Sequence, residues 1–299
     1  LQNTYYLASV ADKVAINPQG SLGWHGLATQ TYFLKDLYDK IGIEMQVFRV
    51  GTYKSAVEPY IATQMSDANR EQTQAFVNSI WGQMVADVAE SRNIPADSLN
   101  ALADRNMDLQ PTETYIATGL ADTLMYQDEM LAYLKQLTDT EEDDALNKLY
   151  LDDMVNVQRN VPKDKSGNIL AVYYAAGTIG SSELPTDEGI DPGKVTKDLR
   201  KLREDESVKA VVLRVNSPGG SAFGSEEIWR EVTLLKEKKP VIVSMGDYAA
   251  SGGYYISCAA DWIVAQPTTL TGSIGIFGRV PNAGKLLNDK LGIHFDGVK

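Results

Sequence analysis

The chain has 299 residues, of which 43% are hydrophobic, and its formal net charge is −12. The length allows two domains, and the negative charge argues against binding to the phosphate backbone of a nucleic acid. Two histidines, His25 and His294, and one cysteine, Cys258, are too few for a histidine metal cluster, a cysteine zinc site or an internal disulfide. We therefore expect no metal and no other cofactor, and a packing role for Cys258 in its apolar segment.

The first stretch of the chain, LQNTYYLAS, starts abruptly, as if within a folded element. No signal peptide begins the chain, and no run approaches the roughly 20 apolar residues of a membrane span. We expect that a targeting or membrane segment, if there is one, lies upstream.

An internal repeat relates the two ends of the chain. Residues 5–26 read YYLASVADKVAINPQGSLGWHG, and residues 254–278 read YYISCAADWIVAQPTTLTGSIGIFG. The match resumes at LYDKIGI (37–43) against LNDKLGI (287–293). This period is too long for a solenoid and indicates a duplicated domain. We assign residues 1–140 to a first repeat with a helical extension, 141–168 to a linker and 169–299 to a second repeat.

The two copies differ where chemistry is expected. Gln2 aligns with Ser251, so the first copy lacks this serine, and each histidine is absent from the other copy. We interpret both histidines as surface or packing residues.

Hydrophobic periodicity and breakers predict the remaining elements in chain order. A strand is predicted over 45–50, helices over 67–89, 96–103 and 128–137, and a solvated acidic stretch, TDTEEDD, over 138–144. In the second copy we predict strands over 169–175, 210–215, 241–245 and 262–265, helices over 194–204 and 254–260, a helix capped by Ser225 that runs to Leu235, an irregular segment over 177–193, and a turn at Gly246 and Asp247. The alternation of strands and helices predicts an α/β fold.

Ser251 lies where a strand and turn lead into a helix, in the sequence AASGGYY. Such a serine commonly caps the helix by accepting hydrogen bonds from free backbone amides. The same location suits a nucleophile, because free amides and the helix dipole stabilise an oxyanion beside it. Both interpretations stand at this point.

A second turn, NSPGGS over 216–221, also follows an apolar strand. Its glycines permit a sharp bend, and no GK[ST] follows, which excludes a P-loop. A further interpretation is an oxyanion hole, with one amide from Gly219 or Gly220 and one from the turn of Ser251 and Gly252. Both turns would lie at the same edge of a parallel sheet.

A serine nucleophile needs a general base. With histidine disfavoured, a lysine is the next candidate, and its pKa must be lowered by burial away from carboxylates. Lys54 lies in VGTYKSAVEPY, a segment with few charges in which Glu58 is the nearest acid. Most lysines are solvated surface charges, and this context alone does not single out Lys54.

Four motifs in order, FRVGTYKSAVEPY, NSPGG, MGDYAASGGYYIS and TLTGSIGIFG, resemble the signal peptide peptidase A family of Ser-Lys peptidases (protease IV, S49). The resemblance implies two copies of a Clp protease/crotonase-like unit with extra helices. It implies that Ser251 is the nucleophile, Lys54 the general base and Ser273 the hydroxyl that orients Lys54. Gly219 or Gly220, with the Ser251 amide, would form the oxyanion hole, and Gly252 of the same turn is a further candidate donor.

The long, Gram-negative form of that family is roughly twice this length, so we expect the chain to be a central fragment. The resemblance implies a homotetramer at the bacterial inner membrane, with its catalytic part facing the periplasm, that degrades cleaved signal peptides. Two alternatives remain: a crotonase-like acyl-CoA enzyme, which shares the oxyanion turns, and a non-catalytic scaffold of a membrane complex. The separation of the Lys54 amine from the Ser251 hydroxyl discriminates between a dyad and a scaffold.

Overall fold

The computed structural model describes residues 2–154, 165–180 and 189–298. Its α-helices are α1 (Gln2–Ala8), α2 (Lys35–Ile41), α3 (Glu58–Ile61), α4 (Asp67–Arg92), α5 (Ala96–Asp104), α6 (Thr112–Ala117), α7 (Gln127–Leu137), α8 (Leu151–Met154), α9 (Pro192–Glu204), α10 (Ala222–Lys236) and α11 (Gly252–Ser257). Its strands are β1 (Ala15–Ile16), β2 (Glu44–Arg49), β3 (Thr123–Leu124), β4 (Ile169–Ala176), β5 (Val208–Ser217), β6 (Val241–Ala250), β7 (Trp262–Val264), β8 (Leu270–Gly272) and β9 (Phe277–Asn282). A short 3₁₀-helix covers Met107–Leu109 and a π-helix covers Leu286–Lys290. The predicted α/β class is confirmed.

Contacts divide the chain into two compact units. The first contains Leu1–Ala28 and Ile80–Lys163, and the second contains Thr29–Ser79 and Asp164–Lys299. These units group residues by proximity in space, whereas the predicted domains follow the copies along the sequence. The duplication and its boundaries stay a prediction. Residues 155–164 of the predicted linker and 181–188 of the predicted irregular segment lie outside the described residues.

The first unit is mainly helical and is built around aromatic side chains. Trp24 and Tyr115 are fully buried, and the indole Nε1 of Trp24 donates a hydrogen bond to the carbonyl of Leu99 (2.8 Å). The ring of Tyr5 meets that of Trp24 edge to face at 5.8 Å. In this unit β1 pairs with β3 in parallel. The hydroxyl of Tyr115 is also satisfied, since it donates to the carbonyl of Met107 (2.9 Å), and burial of these large rings gives the unit a core of its own.

A parallel sheet forms the centre of the second unit. Its strand order is β4-β5-β6-β7, and β8 pairs with the far end of β6. The apolar runs VKAVVLRV and VIVSM are typical of strands in a parallel sheet, and Val211, Leu213, Val215 and Val243 are almost completely buried against α9 and α10. In a separate ladder, β2 pairs with β9 in antiparallel register from Glu44↔Asn282 to Arg49↔Phe277.

Two predicted boundaries in the second copy are wrong. Helix α10 begins after Ser221, whose side chain accepts from the amide of Gly224, while Ser225 lies inside the helix and donates to the carbonyl of Ser221. Strand β6 continues through Gly246 and Asp247 to Ala250, because β8 supplies pairing partners for its last three residues.

Among the described residues, every helix is too short or too polar to span a lipid bilayer.

A buried ion pair links α9 to α10 and allows a matched comparison. The carboxylate of Glu231, a buried residue, lies 2.6 Å from Arg203, whose side chain is 18% exposed, and 3.3 Å from Arg200, whose side chain is 53% exposed. We expect Arg203→Met to lower the free energy of unfolding by about 2–3 kcal/mol, because Glu231 loses its better-shielded partner. Arg200→Met should cost less than about 1 kcal/mol, since solvent screens that pair. Urea denaturation checks the order, and equal costs would contradict it.

Candidate active site

The turn that carries Ser251 joins the last residue of β6, Ala250, to the first residue of α11, Gly252. Ser251 has φ 53° and ψ −117°, a conformation that glycine adopts more easily than other residues. The turn is held by its neighbour strand, since the Ser251 amide donates to the carbonyl of Gly272 (2.8 Å). The Ser251 side chain makes no capping hydrogen bond to the helix, so the capping interpretation is wrong.

The residue that does contact the Ser251 hydroxyl is Lys54. Its Nζ lies 3.1 Å from Ser251 Oγ, 3.2 Å from Ser273 Oγ and 2.6 Å from the Ser273 carbonyl oxygen. All three residues belong to the second unit, and the lysine is only 5% exposed. The structure therefore brings together the three side chains that the resemblance assigned to nucleophile, base and orienting hydroxyl.

The β2–β9 ladder explains how Lys54 reaches this position. Lys54 follows the end of β2, and Ser273 and Ile274 precede β9, so the antiparallel pairing brings the two loops side by side. Beyond the ladder, the amide of Val50 donates to the carbonyl of Ile276 (3.2 Å). Gly275 has φ 120°, and a Cβ atom there would lie 2.7 Å from the carbonyl oxygen of Val50. Glycine at 275 therefore permits the close approach of the two loops.

Burial favours the neutral form of the Lys54 amine. Burial removes water from the ammonium form and thereby lowers the pKa of Lys54 from its ordinary value of 10.5. Among the described residues, Lys54 makes no ion pair that would oppose this effect. A neutral amine has two N–H donors and one lone pair. Its two donors can satisfy the Ser273 oxygens, and its lone pair can then accept the Ser251 hydroxyl proton.

The candidate oxyanion glycines differ in whether their backbone amides already donate a hydrogen bond. The amide of Gly219 donates to Ser217 Oγ (3.1 Å), and a Cβ at this residue would lie 2.5 Å from the Gly252 nitrogen. Gly220 and Gly252 line the cavity beside Ser251, and the Gly220 amide has no hydrogen-bond partner among the described residues. The Ser251 amide is already bonded to the carbonyl of Gly272, which disagrees with the donor role that the resemblance implied for it.

An apolar cavity of about 300 Å³ opens next to Ser251. Its lining comes from the start of α10, from α11 and from the loop before β9: Gly220, Ala222, Ser225, Ser251, Gly252, Tyr254, Tyr255, Cys258, Ile274, Gly275 and Ile276. Cys258 is exposed and lines this cavity, so the predicted packing role is wrong. The two isoleucines of the lining, Ile274 and Ile276, lie in SIGIF directly before β9 and are exposed.

The described contacts of the two histidines do not include Ser251. His25 is 3.9 Å from Asp108 in the first unit, and His294 is exposed in the second. Gln2, which aligns with Ser251, accepts from the amides of His25 and Gly26 through Oε1. Among the described residues, no group of His, Cys, Asp and Glu side chains could hold a metal ion.

The fold and the site define a class of protein: an α/β protein in which a buried lysine is hydrogen-bonded to a serine at a strand–helix turn. The family model for peptidase family S49 matches residues 2–141 and 233–299. The chain therefore belongs to peptidase family S49.

Curated relatives agree with this assignment. The chain is 40% identical to Protease 4 of Haemophilus influenzae over 99% of its length and 49% of that protein, and 38% identical to Protease 4 of Salmonella typhi over 99% of its length and 48% of that protein. It is 33% identical to the chloroplastic serine protease SPPA of Arabidopsis thaliana, over 91% of this chain and 40% of that protein. The chain thus spans about half the length, or less, of these relatives.

Proposed function

We propose that this protein is a serine endopeptidase in which Ser251 is the nucleophile and Lys54 the general base. The observation that carries the proposal is the 3.1 Å separation of Lys54 Nζ from Ser251 Oγ, with a buried amine whose pKa is lowered by desolvation. This separation is in hydrogen-bond range, which favours a catalytic dyad over a non-catalytic scaffold. The names of the relatives, Protease 4 and serine protease, support the same reaction class.

The reaction proceeds by acyl transfer. The neutral amine of Lys54 takes the hydroxyl proton while Ser251 Oγ attacks the peptide carbonyl. As the tetrahedral intermediate collapses, the carbon–nitrogen bond breaks and Lys54 gives the proton to the leaving amine. A water molecule then attacks the acyl-enzyme, losing its proton to Lys54, and the proton returns to Ser251 as the carboxylic acid leaves. Ser273 supports the first step by accepting hydrogen bonds from the amine.

We assign the oxyanion donors to the amides of Gly220 and Gly252. Both residues line the cavity beside Ser251, whereas the Gly219 amide is bonded to Ser217. Two donors aimed at the developing oxyanion contribute roughly 3–4 kcal/mol each to transition-state stabilisation. On this assignment Gly219 acts by its lack of a side chain, which allows the amide of Gly252 to approach.

The proposed substrates are hydrophobic peptides in extended conformation. The apolar cavity next to Ser251 suits an uncharged side chain. A hydrophobic peptide that excludes water from the site would also favour the neutral form of the amine. An extended peptide can bind by adding as a strand, with main-chain hydrogen bonds giving affinity and the cavity giving preference. By resemblance to the signal peptide peptidase A family, we propose cleaved signal peptides as the natural substrates.

The same resemblance supports a proposed location and assembly. We propose a homotetramer anchored in the bacterial inner membrane, with the site facing the periplasm.

Covalent labelling tests the proposed function against the acyl-CoA alternative. We expect a fluorophosphonate to add one phosphonyl group to Ser251 in the intact protein, detected by mass spectrometry of the digested peptide. Labelling should slow as the pH falls, because Lys54 becomes protonated, and immobilised coenzyme A should not retain the protein. Retention on coenzyme A without any adduct at Ser251 would favour a crotonase-like enzyme.

A further inference from the structure

We propose that Glu58 and Gln72 are positioning residues, which hold the loop of Lys54 so that its amine meets Ser251. This inference rests on the proposed peptidase function. Neither side chain contacts Lys54 Nζ or the cavity in the described contacts, so their action passes through the backbone on either side of the lysine.

Glu58 is the centre of a buried polar network. It is the first residue of α3, four positions after Lys54, and it is only 3% exposed. One carboxylate oxygen accepts from Ser66 Oγ (2.6 Å) and Arg49 (3.3 Å), and the other accepts from the Ser66 amide (3.1 Å) and Asn69 Nδ2 (3.0 Å). Because Arg49 ends β2 and Asn69 lies in the first turn of α4, Glu58 ties α3 to both elements.

Gln72 fixes the two residues that flank the lysine. Its Nε2 donates to the carbonyl of Tyr53 (3.0 Å) and to Ser55 Oγ (2.7 Å). The same nitrogen lies 3.3 Å from Asn69 Oδ1, so Gln72 and Glu58 share Asn69 as a neighbour. The long helix α4 is thereby bonded to the chain directly before and directly after Lys54.

The network holds the loop without adding a negative charge to the amine. A carboxylate next to Lys54 would stabilise the ammonium form and remove the base. Burial by itself would raise the pKa of Glu58, but hydrogen bonds from Ser66, Asn69 and Arg49 outweigh it and lower the pKa of this carboxyl. Glu58 therefore stays ionised with its charge balanced by Arg49, and desolvation is the cause of the shift at Lys54.

Matched substitutions in α4 test this role. Gln72→Met keeps the length of the side chain and removes both donors, while Gln74→Met changes a residue of the same helix whose hydrogen bond to Asn78 is exposed. We expect Gln72→Met to lower kcat for an apolar peptide by about 10–100-fold, with KM nearly unchanged, because a displacement of about 1 Å at the base has an effect of this order. The acid limb, which is the part of the pH profile where kcat falls with decreasing pH, should move to higher pH. A mobile amine regains contact with water, and its pKa therefore rises towards the ordinary lysine value. Gln74→Met should behave as wild type.

The outcomes separate this inference from the proposed function. A folded Gln72→Met protein whose kcat and pH profile match those of Gln74→Met would overturn the positioning role, provided that Lys54→Met is inactive in the same assay. If Lys54→Met also keeps its activity, the peptidase assignment itself is wrong. Should Gln72→Met unfold, Ser55→Ala removes the acceptor of the 2.7 Å bond by deleting one oxygen, and a kcat and acid limb equal to wild type would then overturn the role.

Discussion

Replacing Ser251 with alanine is expected to lower kcat by about a million-fold and to leave the fold intact, as for other enzymes whose nucleophile acts as a unit with its base. The substitution removes only the oxygen that would attack the substrate. That oxygen makes no capping bond to α11, and the Ser251 amide keeps its bond to Gly272, so the turn retains its support. Hydrolysis of an apolar peptide and circular dichroism of the same samples measure the two effects separately.

A glycine at the same position gives a second inactive variant, which should be more stable than the alanine variant. Ser251 has a positive φ of 53°, which costs a residue with a side chain on the order of 1–3 kcal/mol. Ser251→Gly should therefore be as inactive as Ser251→Ala but have the higher free energy of unfolding of the two. This difference would show that the turn is strained in order to present the hydroxyl. Turnover that persists in Ser251→Ala would exclude Ser251 as the nucleophile.

Replacing Lys54 with methionine is expected to lower kcat by about 10⁴-fold, the upper end of what a general base contributes. Methionine has a similar length and no lone pair that can accept the Ser251 proton. Arginine is an informative second variant, because its guanidinium keeps the positive charge and is never neutral in this range. If charge alone mattered, Lys54→Arg would retain activity, and if a neutral amine is needed, both variants are inactive.

The pH dependence of the wild type follows from the same amine. Burial lowers the pKa of Lys54, so kcat should rise with pH and level off above that lowered pKa, at a lower pH than an exposed lysine would give. The residual activity of Lys54→Met should lack this limb. A wild-type limb that coincides with the ordinary lysine value of 10.5 would contradict a buried, neutral base.

Burial of Lys54 also makes the free energy of unfolding depend on pH, in a direction that follows from its lowered pKa. The unfolded chain binds a proton at Lys54 up to its ordinary pKa of 10.5, while the folded chain releases it at the lowered pKa. Between these two values the unfolded state holds more protons, so the free energy of unfolding rises with pH in that window. Below the lowered pKa, Lys54 is protonated in both states, and the folded state is destabilised by the full free energy of burying an ammonium group. Urea denaturation of wild type and Lys54→Met should therefore show a difference that shrinks as the pH rises towards 10.5.

Much of the fold was predictable because the local patterns agree with it. The apolar runs before NSPGGS and before Ser251 indicated strands, and α4 followed from helical spacing over 67–89, which the structure extends to Arg92. One failure has a tertiary cause. The turn predicted at Gly246 became part of β6 because β8, more than twenty residues later, supplies hydrogen-bond partners that a local pattern does not contain.

The candidate site was predictable as a set of motifs and not as a geometry. The sequence showed a serine before a helix and a lysine in an uncharged segment, and the family resemblance connected them. Nothing local indicated that Glu58, the nearest acid, is bound away from the amine, or that Gln72 holds the loop from α4. The part of Cys258 in the cavity wall was also missed, because an apolar segment is as typical of a cavity lining as of a core.

The sequence by itself determined the α/β class, the two glycine-rich turns after apolar strands and the residue types able to perform acyl transfer. The tertiary structure decided which of these groups meet. Lys54 and Ser251 are 197 residues apart, and they come within 3.1 Å because β2 pairs with β9. The fold favours the neutral form of the amine by removing water from it. Which glycine amide has no partner among the described residues likewise depends on contacts made after folding. Contact and desolvation arise between distant segments, so no local pattern encodes them.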